Sequence, residues 1–374
     1  MITEQEVKQT QKGGEAVRLE GFDYIEFYVG NVHQAAYFYR TAFGFTPLAY
    51  VGLETGERER VSFVMQQNDI RLMLTSGLTP DDPVSQHVNL HGDSVKDIAF
   101  TVNDAARAFE ETVKRGARPV SEPTVLEDED GQVIKATIGA FGDTVHTFIQ
   151  RRDFKGGFLP RFNAFVNPSP PAAQIGLQEI DHIAVSAEEG RLEEWVHFYK
   201  EVLNFEQTHQ EDVETKYSAM SSKVVQNSSG SVKFPIVVPA SGKRKSQVDE
   251  YLTFHRGAGA QHIALLSSNI ERTVRALRAA GINFLRTPDT YYDVLEERLG
   301  KMADEDVEIL RELSILVDRD PSGYLLQIFT QPLQSRPTVF WEIIERKGAL
   351  GFGGGNIKAL FEAMEREQAL RRNL

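Results

Sequence analysis

Three side chains have the types to do chemistry together. His182 lies in "DHIAV", His262 in "QHIAL" and Glu342 in "WEIIE", each followed by an apolar pair. Two imidazoles and one carboxylate form the facial set that holds iron(II) and leaves positions open for a substrate and oxygen. Singly, each residue would carry little meaning. A histidine in a strand is usually a satisfied core residue, and a lone glutamate is usually solvated. As a set they read differently. An inward Glu342 among bulky apolar neighbours is costly unless a cation or donor meets it.

The elements that must position this set come from an internal repeat. "FDYIEFYVGNVHQAAYFYRTAFGF" from Phe22 parallels "IDHIAVSAEEGRLEEWVHFYKEVLNF" from Ile180. "VKDIAFTVNDAARAFEETVKRGARPV" from Val95 parallels "AQHIALLSSNIERTVRALRAAGINFL" from Ala260, and "TVHTFIQRR" from Thr144 parallels "TVFWEIIER" from Thr338. The units of the first two pairs each read as an apolar strand followed by an amphipathic helix. Glycine stops are expected at Gly116 and Gly281. The chain is therefore expected to be α+β, with two halves divided near the linker "FVNPSPPAAQIG", Phe165 to Gly176: a first module over 1–170 and a second over 171–374.

Overlaying the repeats sets His182 on Tyr24, His262 on Asp97 and Glu342 on Thr147. The second half keeps a ligand set that the first half lacks. His33, His87, His91, His146, His197, His209 and His255 have no such context and read as structural or exposed.

Composition narrows the function. The chain has 374 residues, no cysteine and a net charge of −13. Disulfides, thiolate nucleophiles and cysteine-held metals are excluded. The acidic balance argues against nucleic acid and anionic membrane surfaces as partners. No apolar run reaches the length of a membrane span, and no secretory signal is expected. A cytoplasmic location is the expectation, and a homo-oligomer is left open.

Long motifs carry a resemblance: "GAGAQHIAL", "TPDTYYDVLEERL", "ILVDRDPSGYLLQIFTQP", "RPTVFWEIIERKGALGFGGGN" and "ALFEAMEREQ". Over nearly its whole length the chain resembles the 4-hydroxyphenylpyruvate dioxygenase family, which includes the 4-hydroxymandelate synthases. The resemblance implies two tandem vicinal-oxygen-chelate modules, each a βαβββ repeat. It also implies an open β-barrel around the metal in the C-terminal half and a lid helix at the C-terminus. It implies Fe(II) held by His182, His262 and Glu342, with an aryl pyruvate and O2 as reactants. The substrate's own 2-oxo acid chelates the iron, so no separate 2-oxoglutarate is required. Carried over residue by residue, Gln261, Gln327 and Asn356 belong with the chemistry. Ser222, Gln247, Phe329, Phe340 and Phe352 belong with the substrate.

Two positions depart from the homogentisate-forming members of the family. "FPIVVPA" has Val237 where they carry asparagine, and "GNI" has Ile357 where they carry phenylalanine. Both choices resemble the mandelate-forming members. The two products diverge late: attack on the ring carbon bearing the side chain leads to homogentisate, and attack on the benzylic carbon leads to 4-hydroxymandelate. A shift of about 1 Å in the ring redirects such a choice. The lead expectation is 4-hydroxymandelate, with homogentisate the alternative. A binding protein without catalysis and an aliphatic 2-oxo acid dioxygenase are weaker readings. The intact ligand set opposes the first. Phe329 and the glutamines oppose the second.

Overall fold

A computed structural model describes residues 17–166, 175–300 and 305–371. The first half runs β1 (Leu19–Tyr28), α1 (Val32–Phe43), β2 (Thr46–Val51), β3 (Arg60–Gln67), β4 (Ile70–Gly77) and α2 (Pro83–His91). It continues as β5 (Ser94–Val102), α3 (Ala105–Lys114), β6 (Pro119–Asp128), β7 (Gly131–Gly139), β8 (Val145–Arg152) and a short edge strand, β9 (Asn163–Ala164). The second half runs β10 (Leu177–Ser186), α4 (Leu192–Leu203), β11 (Glu206–Glu214), β12 (Ala219–Gln226), β13 (Lys233–Ala240), α5 (Gln247–His255), β14 (Gly259–Ser267) and α6 (Ile270–Ala279). Three short helices follow, α7 (Asp289–Asp293), α8 (Leu295–Leu299) and α9 (Val307–Leu313). The chain then forms β15 (Leu316–Asp320), β16 (Gly323–Phe329), β17 (Phe340–Lys347) and the last helix, α10 (Gly354–Leu370).

The repeat is visible in the sheets. One has the order β6-β7-β8-β5-β1-β4-β3-β2-β9, and the other β11-β12-β13-β10-β14-β17-β16-β15. Each is mostly antiparallel, with parallel pairs where a helix intervenes, as in β1–β4 and β14–β17. Gly116 and Gly281 end α3 and α6 at φ 105° and 91°, as the helix patterns require. The expected boundary between residues 170 and 171 lies outside the described residues.

Alternation along each strand decides which residues face which side. On β1, Ile25 and Phe27 join the large core between the halves, while Tyr24 belongs to a separate cluster on the other face. On β17, Trp341 and Ile343 face that same large core. Trp341 is fully buried, with its ring 5.8–6.0 Å from Phe27, Tyr39 and Phe43 of the first half. The residue next to a candidate ligand thus anchors one half on the other. Its neighbour Glu342 is forced to the opposite face.

Among the described residues, no helix is long and apolar enough to cross a membrane.

Candidate functional site

The three ligand candidates come from the middle of the second sheet. β14 lies between β10 and β17, with His182 opposite Ala264, Ala184 opposite His262 and Ala264 opposite Glu342. Small residues between the ligands let three large polar side chains converge on one face. His182 Nε2 lies 3.2 Å from Glu342 Oε2, and His262 Nε2 lies 3.5 Å from the same oxygen. All three residues are buried.

The donor set fits a divalent metal. Among the described residues, the ion-pair partners of the Glu342 carboxylate are these two histidines. A buried carboxylate facing two imidazole nitrogens asks for a cation at their common point. The supporting hydrogen bonds have the form that holds metal-ligating imidazoles. His182 Nδ1 lies 2.7 Å from Asp181, whose carboxylate is gripped by Arg346 at 2.6 and 2.8 Å. His262 Nδ1 lies 3.2 Å from Gln261 Oε1. Burial disfavours the charged form of His182, but Glu342 and Asp181 outweigh it and raise its pKa above the usual value. His262, pressed by burial and then by His182, falls well below its usual value. Burial alone would raise the Asp181 carboxyl, yet its bonds from Arg346 and His182 hold it well below the usual range.

A cavity, about 770 Å³ of empty space counting its open mouth, lies in front of the triad. Ser222, Val237, Gln247, Gln261, Gln327, Phe329, Phe352 and Ile357 all line it. The amides form two linked groups. Gln261 donates to Gln247 Oε1 at 3.1 Å, and Gln327 donates to Glu342 Oε1 at 3.3 Å. Phe340 and Asn356 lie behind the wall. Phe340 packs its ring 4.9 Å from His262, and Asn356, fully buried, donates to Gln327 Oε1 at 3.2 Å. Tyr291 in turn donates to Asn356 Oδ1 at 2.6 Å.

The glycine run before α10 proves tightly packed. A Cβ on Gly353, at φ 71°, would lie 2.1 Å from Gln327 Oε1. Asp320 accepts from the N–H groups of Leu350 and Gly351, and Asp318 from Gly355. The glycines allow close approach to the pocket floor, in addition to any freedom of hinge. The spacing of Ile357, Leu360, Phe361 and Met364 predicts one apolar face on α10, and Leu360, Phe361 and Met364 are buried while Ile357 is partly so. Buried Glu365, accepting from Thr215 and Ser218, ties the helix to the β11–β12 turn.

Sequence reading missed several members of the site. The sequence patterns single out neither Asp181 nor Arg346. His209, taken as structural or exposed, is exposed but also lines the cavity, with its ring 5.5 Å from Phe352. Glu211, Met220 and Leu360 line it too. Spacing within the strands could have pointed to Asp181. Nothing local points to Arg346 or His209.

Comparison with known proteins agrees with this architecture. The glyoxalase/bleomycin resistance protein/dioxygenase superfamily matches twice, at residues 21–145 and 179–328, once in each half. The chain is 46% identical over 367 residues to the 4-hydroxyphenylpyruvate dioxygenase of Dictyostelium discoideum, covering 95% of this chain and 100% of that protein. With the same-named protein of Xenopus tropicalis it shares 44% identity over 368 residues, covering 96% and 93%. A mutant of 4-hydroxymandelate synthase from Streptomyces coelicolor superposes with a TM-score of 0.85 at 37% identity, over 94% of this chain and 99% of that one. With the repeat, the buried ligand set and these likenesses together, the chain belongs to the 4-hydroxyphenylpyruvate dioxygenase family, whose members include the mandelate synthases, and it is a metal-dependent dioxygenase.

Proposed function

We propose that this protein takes 4-hydroxyphenylpyruvate and O2, releases CO2 and forms 4-hydroxymandelate, using Fe(II) held by His182, His262 and Glu342. The iron would supply oxygen binding and activation beside the substrate's chelating 2-oxo acid. Imidazole and carboxylate donors in a facial set favour iron(II). In this reading residues 171–374 carry the catalytic site, and residues 1–170 support it.

The remaining work falls to the pocket. Gln261, fixed between His262 and Gln247, keeps an uncharged amide beside the ligand and adds no competing charge. Gln327, held by Glu342 on one side and Asn356 on the other, does the same across the cavity. Phe329 and Phe352 are the aromatic walls of the cavity and orient the ring. The last helix, seated on the mouth through Ile357 and Leu360, excludes water.

One observation carries the choice of product. Val237 and Ile357 both line the cavity and belong to one apolar cluster with Val213, Met220, Val248 and Phe361. At the cavity wall Val237 and Ile357 offer the ring neither a polar anchor nor an aromatic face. The ring can therefore turn so that the benzylic carbon lies nearest the reacting centre. A tenfold product preference needs only about 1.4 kcal/mol between the two barriers. Homogentisate is the second reading, favoured by curated relatives named as 4-hydroxyphenylpyruvate dioxygenases at 44–46% identity.

The test is chromatographic identification of the product from iron-loaded protein and 4-hydroxyphenylpyruvate in air. Native protein should give mainly 4-hydroxymandelate, and the double variant Val237→Asn, Ile357→Phe should raise the homogentisate share. Homogentisate alone from native protein would replace the first reading with the second.

A further inference from the structure

Among the described residues, two groups bring three ligand atoms within 4.8 Å of one another. One is the triad already described. The other is His87, His91 and Asp143, in the first half and away from the cavity. His87 and His91 stand four residues apart on α2, so they share a helix face. Asp143 comes from the turn between β7 and β8.

The hydrogen bonds around His91 are informative. Its Nδ1 lies 2.6 Å from the backbone carbonyl of His255, so that nitrogen donates. Its Nε2 lies 3.0 Å from Asp143 Oδ2. In a neutral ring this sets a lone pair against a carboxylate. A divalent cation between them removes the conflict, and an imidazole oriented through its other N–H by a carbonyl is the usual support of a metal ligand. His182 in the first-described triad has the same form, with one nitrogen on a carboxylate ligand and the other on a buried acceptor. His87 is held in turn by Ser94 Oγ, 3.0 Å from its Nε2.

The site lies on the seam between the halves and is held firmly. The His91 and His255 rings stack at 4.5 Å. Arg336 donates to the carbonyls of Asn89 and Leu90 at the end of α2. Gly142, at φ 54°, sits where a Cβ would come 2.3 Å from the Ala258 carbonyl. Lys96 donates to the Asp143 carbonyl and fixes the turn.

We propose that His87, His91 and Asp143 form a second divalent-metal site, separate from the catalytic one, that takes Zn²⁺ or a similar borderline cation with water completing its shell. Two imidazoles and a carboxylate suit such ions. The bound ion fastens α2 and the β7–β8 turn to each other and, through His91 and His255, to the second half.

Zinc titration of the iron-loaded, full-length protein, read by elemental analysis and by melting temperature, tests this. Native protein should take one Zn²⁺ beyond its iron and melt higher with zinc than without. Asp143→Asn, an exposed position that should fold normally, should weaken the uptake by at least about tenfold and lose the melting shift, with iron content unchanged. His87→Gln should do the same, and His182→Ala should lose iron while keeping the zinc. The proposal is overturned if native protein takes no second ion, or if Asp143→Asn keeps it.

Discussion

The two halves use the same strands for opposite ends. In the second, His182, His262 and Glu342 meet beneath an open cavity. In the first, Tyr24, Asp97 and Thr147 hold the same register positions: Tyr24 pairs with Ala99, Glu26 with Asp97, and Ala99 with Thr147. These side chains also converge. Tyr24 and Thr147 donate to Asp97 Oδ2 at 3.1 and 2.6 Å. They close on one another by hydrogen bonds, and the space before them is packed by Phe158, Leu159, Val64 and Met73. Phe158 sits with its ring 5.4 Å from Tyr24. An identical backbone frame thus makes a filled core or a ligand-binding face, depending on three side chains and on what covers the mouth.

One feature is kept in both halves. Asp23 precedes Tyr24 as Asp181 precedes His182, and Arg151 and Arg346 occupy matching places after Thr147 and Glu342. Each arginine forks onto its aspartate, Arg151 on Asp23 and Arg346 on Asp181. Each also donates to the backbone of the segment over its mouth: Arg151 to the Phe158 carbonyl, Arg346 to those of Ala349 and Gly351. The clasp that secures the cover is common to both. In the second half that aspartate also holds His182, a candidate metal ligand. One buried pair therefore connects His182 to the approach of α10.

The largest contrast should come from the matched triads. His262→Ala is expected to empty the metal site and lower oxygen uptake at least about a hundredfold, since even supporting partners of a ligand are worth about 10–100-fold. Thr147→Ala should leave metal content and uptake unchanged, as measured by elemental analysis and an oxygen electrode. Loss of metal from the Thr147 variant would break the comparison.

A smaller effect should separate the two clasps. Arg346→Gln and Arg151→Gln each take the forked guanidinium from a buried carboxylate, with Lys233 still 3.7 Å from Asp181 in the first case, and each should lose at most about 3 kcal/mol in denaturant unfolding. Only Arg346→Gln should also weaken metal binding, by about 10–100-fold, and speed proteolysis near Gly351. Equal metal affinities in the two variants would show that the Asp181 clasp serves stability alone.

The smallest effect concerns pH. Burial, with Glu26 adding to it, raises the Asp97 carboxyl from 3.8 to about 6 despite nearby Lys135. Its Oδ1 is buried without a hydrogen-bond partner. The folded state holds this proton more tightly than the unfolded one. Its contribution is therefore present below pH 3.8 and is lost as pH rises through about 6. Asp97→Asn cannot ionise and still offers an oxygen to Tyr24 and Thr147. It should gain on native protein between pH 4 and 6 and hold a lead of at most about 3 kcal/mol at pH 7. A difference that does not change with pH would mean that Asp97 is charged throughout in the fold.

Much of this was legible in the sequence because it is local or periodic. The repeat located both modules, alternation set His182, His262 and Glu342 on strands, and the 3.6-residue spacing of Leu360, Phe361 and Met364 showed the buried face of the last helix. Trp341 could be read only as an apolar neighbour of a ligand, since its partners Phe27, Tyr39 and Phe43 are some three hundred residues away. The same holds for Arg346, which meets Asp181 across three strands, and for His209, which reaches the cavity only because its strand curls beside Phe352. The sequence by itself determined which side chains could bind a metal and which face of each strand they share, because both follow from side-chain chemistry and a two-residue period. The tertiary structure alone decided that three strands far apart in the chain lie side by side, that Phe340 and Asn356 stand behind the wall, and that His87, His91 and Asp143 meet at the seam. Those outcomes depend on the order of strands and the packing of one half on the other, which no local pattern encodes.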